Sequence, residues 1–302
     1  MPLRLMTLGD ILDGGFKLFV ANWRTVLVIA GLFLVPLQLA SAFLQRDLLG
    51  GLSFFQVLSD PAAAEALAQG GGGPGQVLGP LLGFLAAVLV LPFVAGAVSK
   101  VVAASCLGQR MDAGPALRAT ARRWWSLVAA WLLTHLLQLL PYVPGVAVIA
   151  GGVVAEEAAL AILGLLLLLV GIAGQLAVMT AFVPVAPAIV VEELGPLEAM
   201  RRSVRLVRPG FWRVLGAAVV SGLLAGILSW IIGAIPSIAA VLVGLRHGWI
   251  LLALGSILGG LVATPFIAIV ATLIYFDGRI RGEGFDLQAM AAELERGGLP
   301  AG

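Results

Sequence analysis

Six stretches of this chain, each longer than twenty residues, contain no Asp, Glu, Lys or Arg: 25–45, 66–99, 124–155, 158–191, 214–245 and 248–276. A hydrocarbon layer of about 30 Å is crossed by about 20 helical residues, so every stretch is long enough to span it. Backbone polar groups in lipid must be paired within the protein, and a helix pairs them segment by segment. The expected fold class is therefore an all-α membrane protein with six transmembrane helices. Composition agrees, because only 11% of the 302 residues are charged and 61% are hydrophobic, whereas soluble domains are about 25% charged. One Cys and two His exclude a disulfide scaffold and a Cys/His zinc site. No metal, cofactor or nucleic-acid partner is expected of such a near-neutral, apolar chain.

Glycine and proline punctuate the runs. Gly70–Gly73 with Pro74 and Gly75 reads as a flexible linker, so the second span should start near Val77. Pro141, Pro144 and Gly145 in the third run, and Pro236 in the fifth, are expected to stop their helices and leave apolar tails, interfacial or re-entrant. Ala40-Ser41-Ala42 is read as small residues packing at a helix end rather than as a signal-peptidase site, because Asp10 and Asp13 suit an ordered helix better than a leader.

Six spans place both termini on one side. Sixteen of the 18 basic residues fall on that side, and only Arg46 and Arg246 on the other. By the positive-inside rule both termini are expected in the cytoplasm, with the protein in the inner cell membrane.

Before the first span, Leu8, Ile11, Leu12, Phe16, Phe19 and Val20 share a helical face, and Thr7 with Asp10 has capping-box spacing. This reads as an amphipathic helix lying in the interface, with Trp23 at headgroup depth. The pattern recurs from Gly114-Pro115 through Leu117 and Ala121 to Trp124-Trp125. It recurs again from Gly195-Pro196 through Leu197, Met200, Val204 and Val207 to Phe211-Trp212. The second helix of each hairpin carries proline: Pro92, Pro184 with Pro187, and Pro265. One integral membrane domain over 1–302 follows, with three units, 7–107, 112–191 and 195–276, each an interfacial helix plus a hairpin, and a cytoplasmic tail at 277–302.

Several of these segments resemble a known family. They are Leu8-Gly9-Asp10-Ile11-Leu12-Asp13, Val191-Glu192-Glu193-Leu194-Gly195-Pro196, Phe211-Trp212-Arg213, and Tyr275-Phe276-Asp277 with Glu283-Gly284-Phe285-Asp286-Leu287. The likeness is to the bacterial and archaeal membrane domain of glycerophosphoryl diester phosphodiesterase and related families of unknown function. The resemblance implies a six-helix membrane domain without the soluble catalytic barrel, so no phosphodiesterase activity and no enzyme is expected.

Candidate sites are few. Arg118, Arg122 and Arg123 before the third span, and Arg201, Arg202, Arg205, Arg208 and Arg213 before the fifth, form the largest single-sign feature. They fit anionic lipid headgroups, at about 1 kcal/mol per basic residue near the surface, or serve as topology signals alone. Tyr275-Phe276-Asp277 followed by Phe285, Leu287, Met290 and Leu294 suggests a tail helix folding back, whose Glu283, Asp286, Glu293 and Glu295 meet the arginines. Glu156-Glu157 reads as the outer end of the fourth span, and His135 as an interhelical hydrogen-bonding residue.

The resulting expectation is a non-enzymatic domain for lipid handling, or an accessory to a membrane complex. Its partners would be membrane lipids, anionic ones among them, and a membrane protein or a second copy. The alternative is a transporter of a lipid-like or weakly polar solute, with Pro92, Pro184 and Pro265 as helix hinges.

Overall fold

The computed structural model describes residues 5–45, 74–243 and 245–284. Every element among them is helical. The chain opens with α1 (Leu8–Ala21) and α2 (Trp23–Gln45). Next comes α3 (Pro74–Leu85), which passes through a π-helical turn, Ala86–Val90, into α4 (Leu91–Cys106). A short α5 (Ala113–Ala121) precedes α6 (Trp124–Leu139), which a 3-10 turn, Leu140–Tyr142, joins to α7 (Val143–Val154). Then follow α8 (Ala158–Ala181), α9 (Val185–Val191), α10 (Pro196–Val207), α11 (Phe211–Val243) and α12 (Leu245–Glu283).

Six helical segments are long and apolar enough to cross a membrane: Trp23–Leu44, Pro80–Cys106, Trp124–Val154, Ala158–Val191, Pro196–Ala240 and Gly248–Glu283. They overlap the six uncharged runs, so the six-helix, all-α membrane fold holds. Gly70–Gly73, Arg46 and the tail from 285 onward lie outside the described residues.

Two prolines behave differently from expectation. α11 runs through Pro236 without interruption to Val243. The third run yields at Leu140–Tyr142 by one tighter turn and then continues as α7, with Pro144 in its first turn, where a missing N–H costs little. Neither apolar tail is a re-entrant loop. In lipid a local adjustment around one lost hydrogen bond costs less than abandoning the helix and orphaning every backbone group beyond it.

Small residues hold these arms to their neighbours. A Cβ on Gly255 would sit 2.8 Å from the Gly233 carbonyl oxygen, and one on Gly171 would sit 2.8 Å from that of Pro141. The backbones of α11 and α12, and of α8 and the turn before α7, therefore touch directly. Lipid supplies no hydrophobic drive between helices, so close van der Waals approach must do this work.

Burial is densest where α12 meets α1, α4 and α9. From Thr272 to Gly278 every residue of α12 is buried, and so is most of α4 from Pro92 to Ala104. Thr272 Oγ1 and Ser99 Oγ lie 2.9 Å apart inside this core. At the opposite end apolar side chains face outward: Val154 is 87% and Leu242 82% exposed. The basic residues discussed below gather at the first of these ends, which we call the basic end.

α1 has the expected capping box: Thr7 Oγ1 accepts from the Asp10 N–H at 3.2 Å, and Asp10 Oδ2 accepts from the Thr7 N–H at 2.9 Å. Its buried face differs from the predicted stripe. Ile11, Gly14, Gly15 and Leu18 face inward, while Phe16 and Val20 are exposed. Gly15 lets α1 settle onto Phe266 and Val270 of α12, a contact that a search for large apolar residues overlooks.

Candidate functional site

At the basic end two ion-pair clusters tie distant parts of the chain together. In the first, Asp277 on α12 is 1% exposed and pairs with Arg213 at the start of α11 and with Arg281 one turn on. Asp277 Oδ1 also accepts from the Met6 N–H at 2.9 Å, while the Met6 carbonyl accepts from Arg213 at 3.1 Å and from Arg281 at 2.8 Å. A buried carboxylate is tolerable only with such pairing.

In the second cluster Arg202 of α10 donates from Nε to Glu192 at 2.9 Å and from Nη2 to Glu283 at 2.8 Å. The buried Tyr275 hydroxyl donates to Glu192 at 2.7 Å, and Arg279 reaches Glu283 at 3.2 Å. Glu283 lies nearly two turns beyond the uncharged run.

These clusters divide the predicted arginines. Arg202 and Arg213 are engaged by the protein's own carboxylates, and Arg123 reaches the exposed Glu193 at 3.3 Å. Arg118 makes a long 3.4 Å contact to the Gly114 carbonyl. Arg122, Arg201, Arg205 and Arg208 are exposed and make no ion pair among the described residues. On α10, Ala199, Met200, Ser203, Leu206 and Val207 are buried, whereas Leu197 and Val204, assigned to the apolar face, are 57% and 41% exposed. Leu197, Arg201, Val204, Arg205 and Arg208 thus share one outward face that mixes apolar and cationic side chains.

Sequence reasoning missed Asp277, Tyr275, Arg279 and Arg281 as partners, although Tyr275-Phe276-Asp277 stood out as a motif. It did foresee Glu283 meeting an arginine. The sixth helix, however, runs straight past Phe276 to Glu283 and does not fold back within the described residues. Asp286, Glu293 and Glu295 lie outside them.

The three marked prolines fall into three different local structures. Pro92 opens α4 directly after the π-helical turn, and the Leu89 carbonyl there accepts from Trp124 Nε1 at 3.0 Å. Pro184 caps α9 after a break in the chain path, and the Ala181 carbonyl accepts from Ser203 Oγ at 2.6 Å. Neighbouring side chains thus satisfy carbonyls at both interruptions. Pro265 stands inside an unbroken α12.

Among the described residues, two cavities open between the spans. The larger, a half-open groove of about 930 Å³, is bordered by α8, α11 and α12, and its wall holds one hydroxyl, that of Ser221, and the indole N–H of Trp230. That hydroxyl donates to the Ala218 carbonyl at 3.1 Å. Gly222 and Gly226 form part of the wall, and a Cβ on either would meet nothing within 4 Å. The smaller cavity, about 450 Å³, is bounded by Pro92, Trp131, Thr134, His135 and Gln138 among others. Val183 and Val185, which flank Pro184, and Thr264, beside Pro265, also border it. Pro92 itself and the neighbours of Pro184 and Pro265 thus border one space. His135 does not bridge helices as expected: its ring stacks on Trp131 with centroids 3.7 Å apart, and Nδ1 lies 2.8 Å from the Trp131 carbonyl oxygen.

With this geometry in place, one comparison identifies the chain's kin. A family model described as a domain of unknown function, DUF7847, matches residues 6–277. The chain belongs to that family. The matched span runs from Met6 to Asp277, the two residues joined in the buried ion-pair cluster. It takes in both cavities and all three prolines. Nothing in this match links the chain to the phosphodiesterase membrane domain. Searches of curated proteins and of solved structures gave no match.

Proposed function

We propose that this chain is a non-enzymatic lipid-handling domain that receives the acyl chain of a bilayer lipid between α8, α11 and α12. The observation that carries this reading is the 930 Å³ groove, whose wall is apolar apart from the Trp230 indole N–H and a hydroxyl already bonded to its own helix. An apolar volume of that size within the membrane depth is compatible with hydrocarbon and hostile to a charged solute.

The outward face of α10 supports the same reading. Leu197 and Val204 among Arg201, Arg205 and Arg208 suit a helix at the membrane surface, with cations toward anionic headgroups. Trp23, Trp125 and Trp212, exposed at 49%, 71% and 80%, suit headgroup depth at the starts of three long helices. On this reading the basic end faces the cytoplasm of a cell whose inner membrane holds the protein, and the three units are a repeat. The resemblance to the phosphodiesterase membrane domain fits a role beside lipid chemistry carried out by another protein.

Mass spectrometry of lipids retained by the purified chain tests the reading. Gly222→Leu with Gly226→Leu should fill the cavity without a clash and reduce retained lipid several-fold. Equal lipid retention by the filled variant would refute it. A second reading, transport by hinge motion, draws support from the interrupted helices at Pro92 and Pro184 beside the smaller cavity.

A further inference from the structure

The smaller cavity offers something the larger does not: an imidazole and a carboxamide with hydrogen-bonding capacity to spare. A carbonyl oxygen only accepts, so the 2.8 Å contact to Trp131 requires the proton on His135 Nδ1. In the neutral ring Nε2 is then an acceptor. One turn on, Gln138 is half-buried, borders the same cavity and makes no hydrogen bond among the described residues. Gln175 shows the contrast, since the Tyr142 hydroxyl already donates to it. The lining carries no carboxylate, Lys or Arg.

The two cavities are also neighbours. Met179, Val183, Ile267 and Ala271 border both. A molecule with its polar end in the smaller space can therefore lay a hydrocarbon chain across this shared wall into the larger one.

Resting on the acyl-chain reading above, we infer that the smaller cavity selects a neutral lipid bearing a free hydroxyl. One hydroxyl satisfies both groups, donating to His135 Nε2 and accepting from the Gln138 amide. A phosphate or carboxylate headgroup would enter a space with no cation to meet it. His135 is exposed on a span, where lipid supplies no donor, so an ester without a hydroxyl would leave Nε2 without one. Diacylglycerols and long-chain alcohols share the required chemistry.

The test uses the full chain purified in detergent, with radiolabelled 1,2-dioleoylglycerol, oleyl alcohol and the methyl ether of each as probes. Each ether keeps the chain and removes the donor. Both alcohols, or one of them, should bind about tenfold more tightly than the matching ether, and which alcohol does so distinguishes the two sources. His135→Phe keeps an aromatic ring for Trp131, and Gln138→Leu keeps the side-chain bulk. Each should lower alcohol binding to the level of the ether while thermal unfolding stays unchanged. Equal affinity for alcohol and ether, or selectivity that survives both substitutions, would overturn the inference while leaving the acyl-chain reading intact. Binding of neither alcohol nor ether, together with no lipid retained on purification, would overturn both.

Discussion

Asp277 accepts a hydrogen bond from the backbone of Met6 at 2.9 Å, across 271 positions of sequence. The same carboxylate pairs with Arg213 and Arg281, so it clasps the first described residues of the chain to the start of α11 and the end of α12. Asp277→Ala would strip the counter-charge from two arginines and orphan the Met6 amide. Removing one partner of a buried pair costs about 3–5 kcal/mol. Unfolding in detergent, followed by tryptophan fluorescence, should show a loss of that size. A change under 1 kcal/mol would mean that the cluster is dispensable.

Trp124 and Ser203 are expected to matter for a reason unrelated to the apolar contacts around them. Trp124→Phe and Ser203→Ala each withdraw the donor from a carbonyl at a helix interruption. An unsatisfied buried acceptor costs about 1–3 kcal/mol. Both variants should unfold earlier by that margin, whereas Trp125→Phe, at an exposed position, should not.

Glu283→Gln removes the carboxylate that Arg202 and Arg279 share. The variant should unfold in detergent at a lower temperature than wild type at pH 7, and an unchanged transition would mean that the second cluster adds nothing to stability.

Glycines on α11 and α12 should respond in opposite ways. Gly255→Leu drives a side chain into the Gly233 backbone and should cost about 1–3 kcal/mol of stability. Gly222→Leu meets open space and should leave unfolding unchanged or raise it slightly, because leucine is the better helix former. Matched melts of the two variants check this.

Transport makes its own prediction. If Pro184 works as a hinge, a cysteine at Ala268, which borders the smaller cavity, should change the face from which it is labelled when Pro184 becomes Ala. On the lipid-handling reading the labelled face stays the same. Gln109→Cys, on the exposed turn after α4, reports on orientation better than Cys106, which is buried.

The span positions were legible because uncharged length is a one-dimensional property, and lipid enforces it. The capping box of α1 was legible because it is local. What eluded the sequence depends on which faces meet. Leu197 and Val204 turn outward because α10 rests on smaller residues such as Ala199 and Ser203. α1 likewise buries Gly14 and Gly15, which a count of large apolar residues passes over. Arg202 and Arg213 read as cations offered to lipid, since their partners stand 81 and 64 residues away at Glu283 and Asp277. The prolines were visible, but the cavity that Pro92 and the neighbours of Pro184 and Pro265 border was not, because it arises from three separate hairpins.

α12 is 39 residues long, hence about 58 Å from end to end, and its uncharged part from 248 to 276 alone measures about 43 Å. The hydrocarbon it crosses is about 30 Å deep. A rod of that length must lean, or else swell the lipid around it, at a cost of fractions of a kcal/mol per ångström. Because the Gly233–Gly255 contact binds α11 to α12, the two lean as one spar, while the clasp on Met6 anchors its foot. The inclination of this spar, and with it the width of the cavity at its side, is therefore set partly by the thickness of the bilayer that holds the protein.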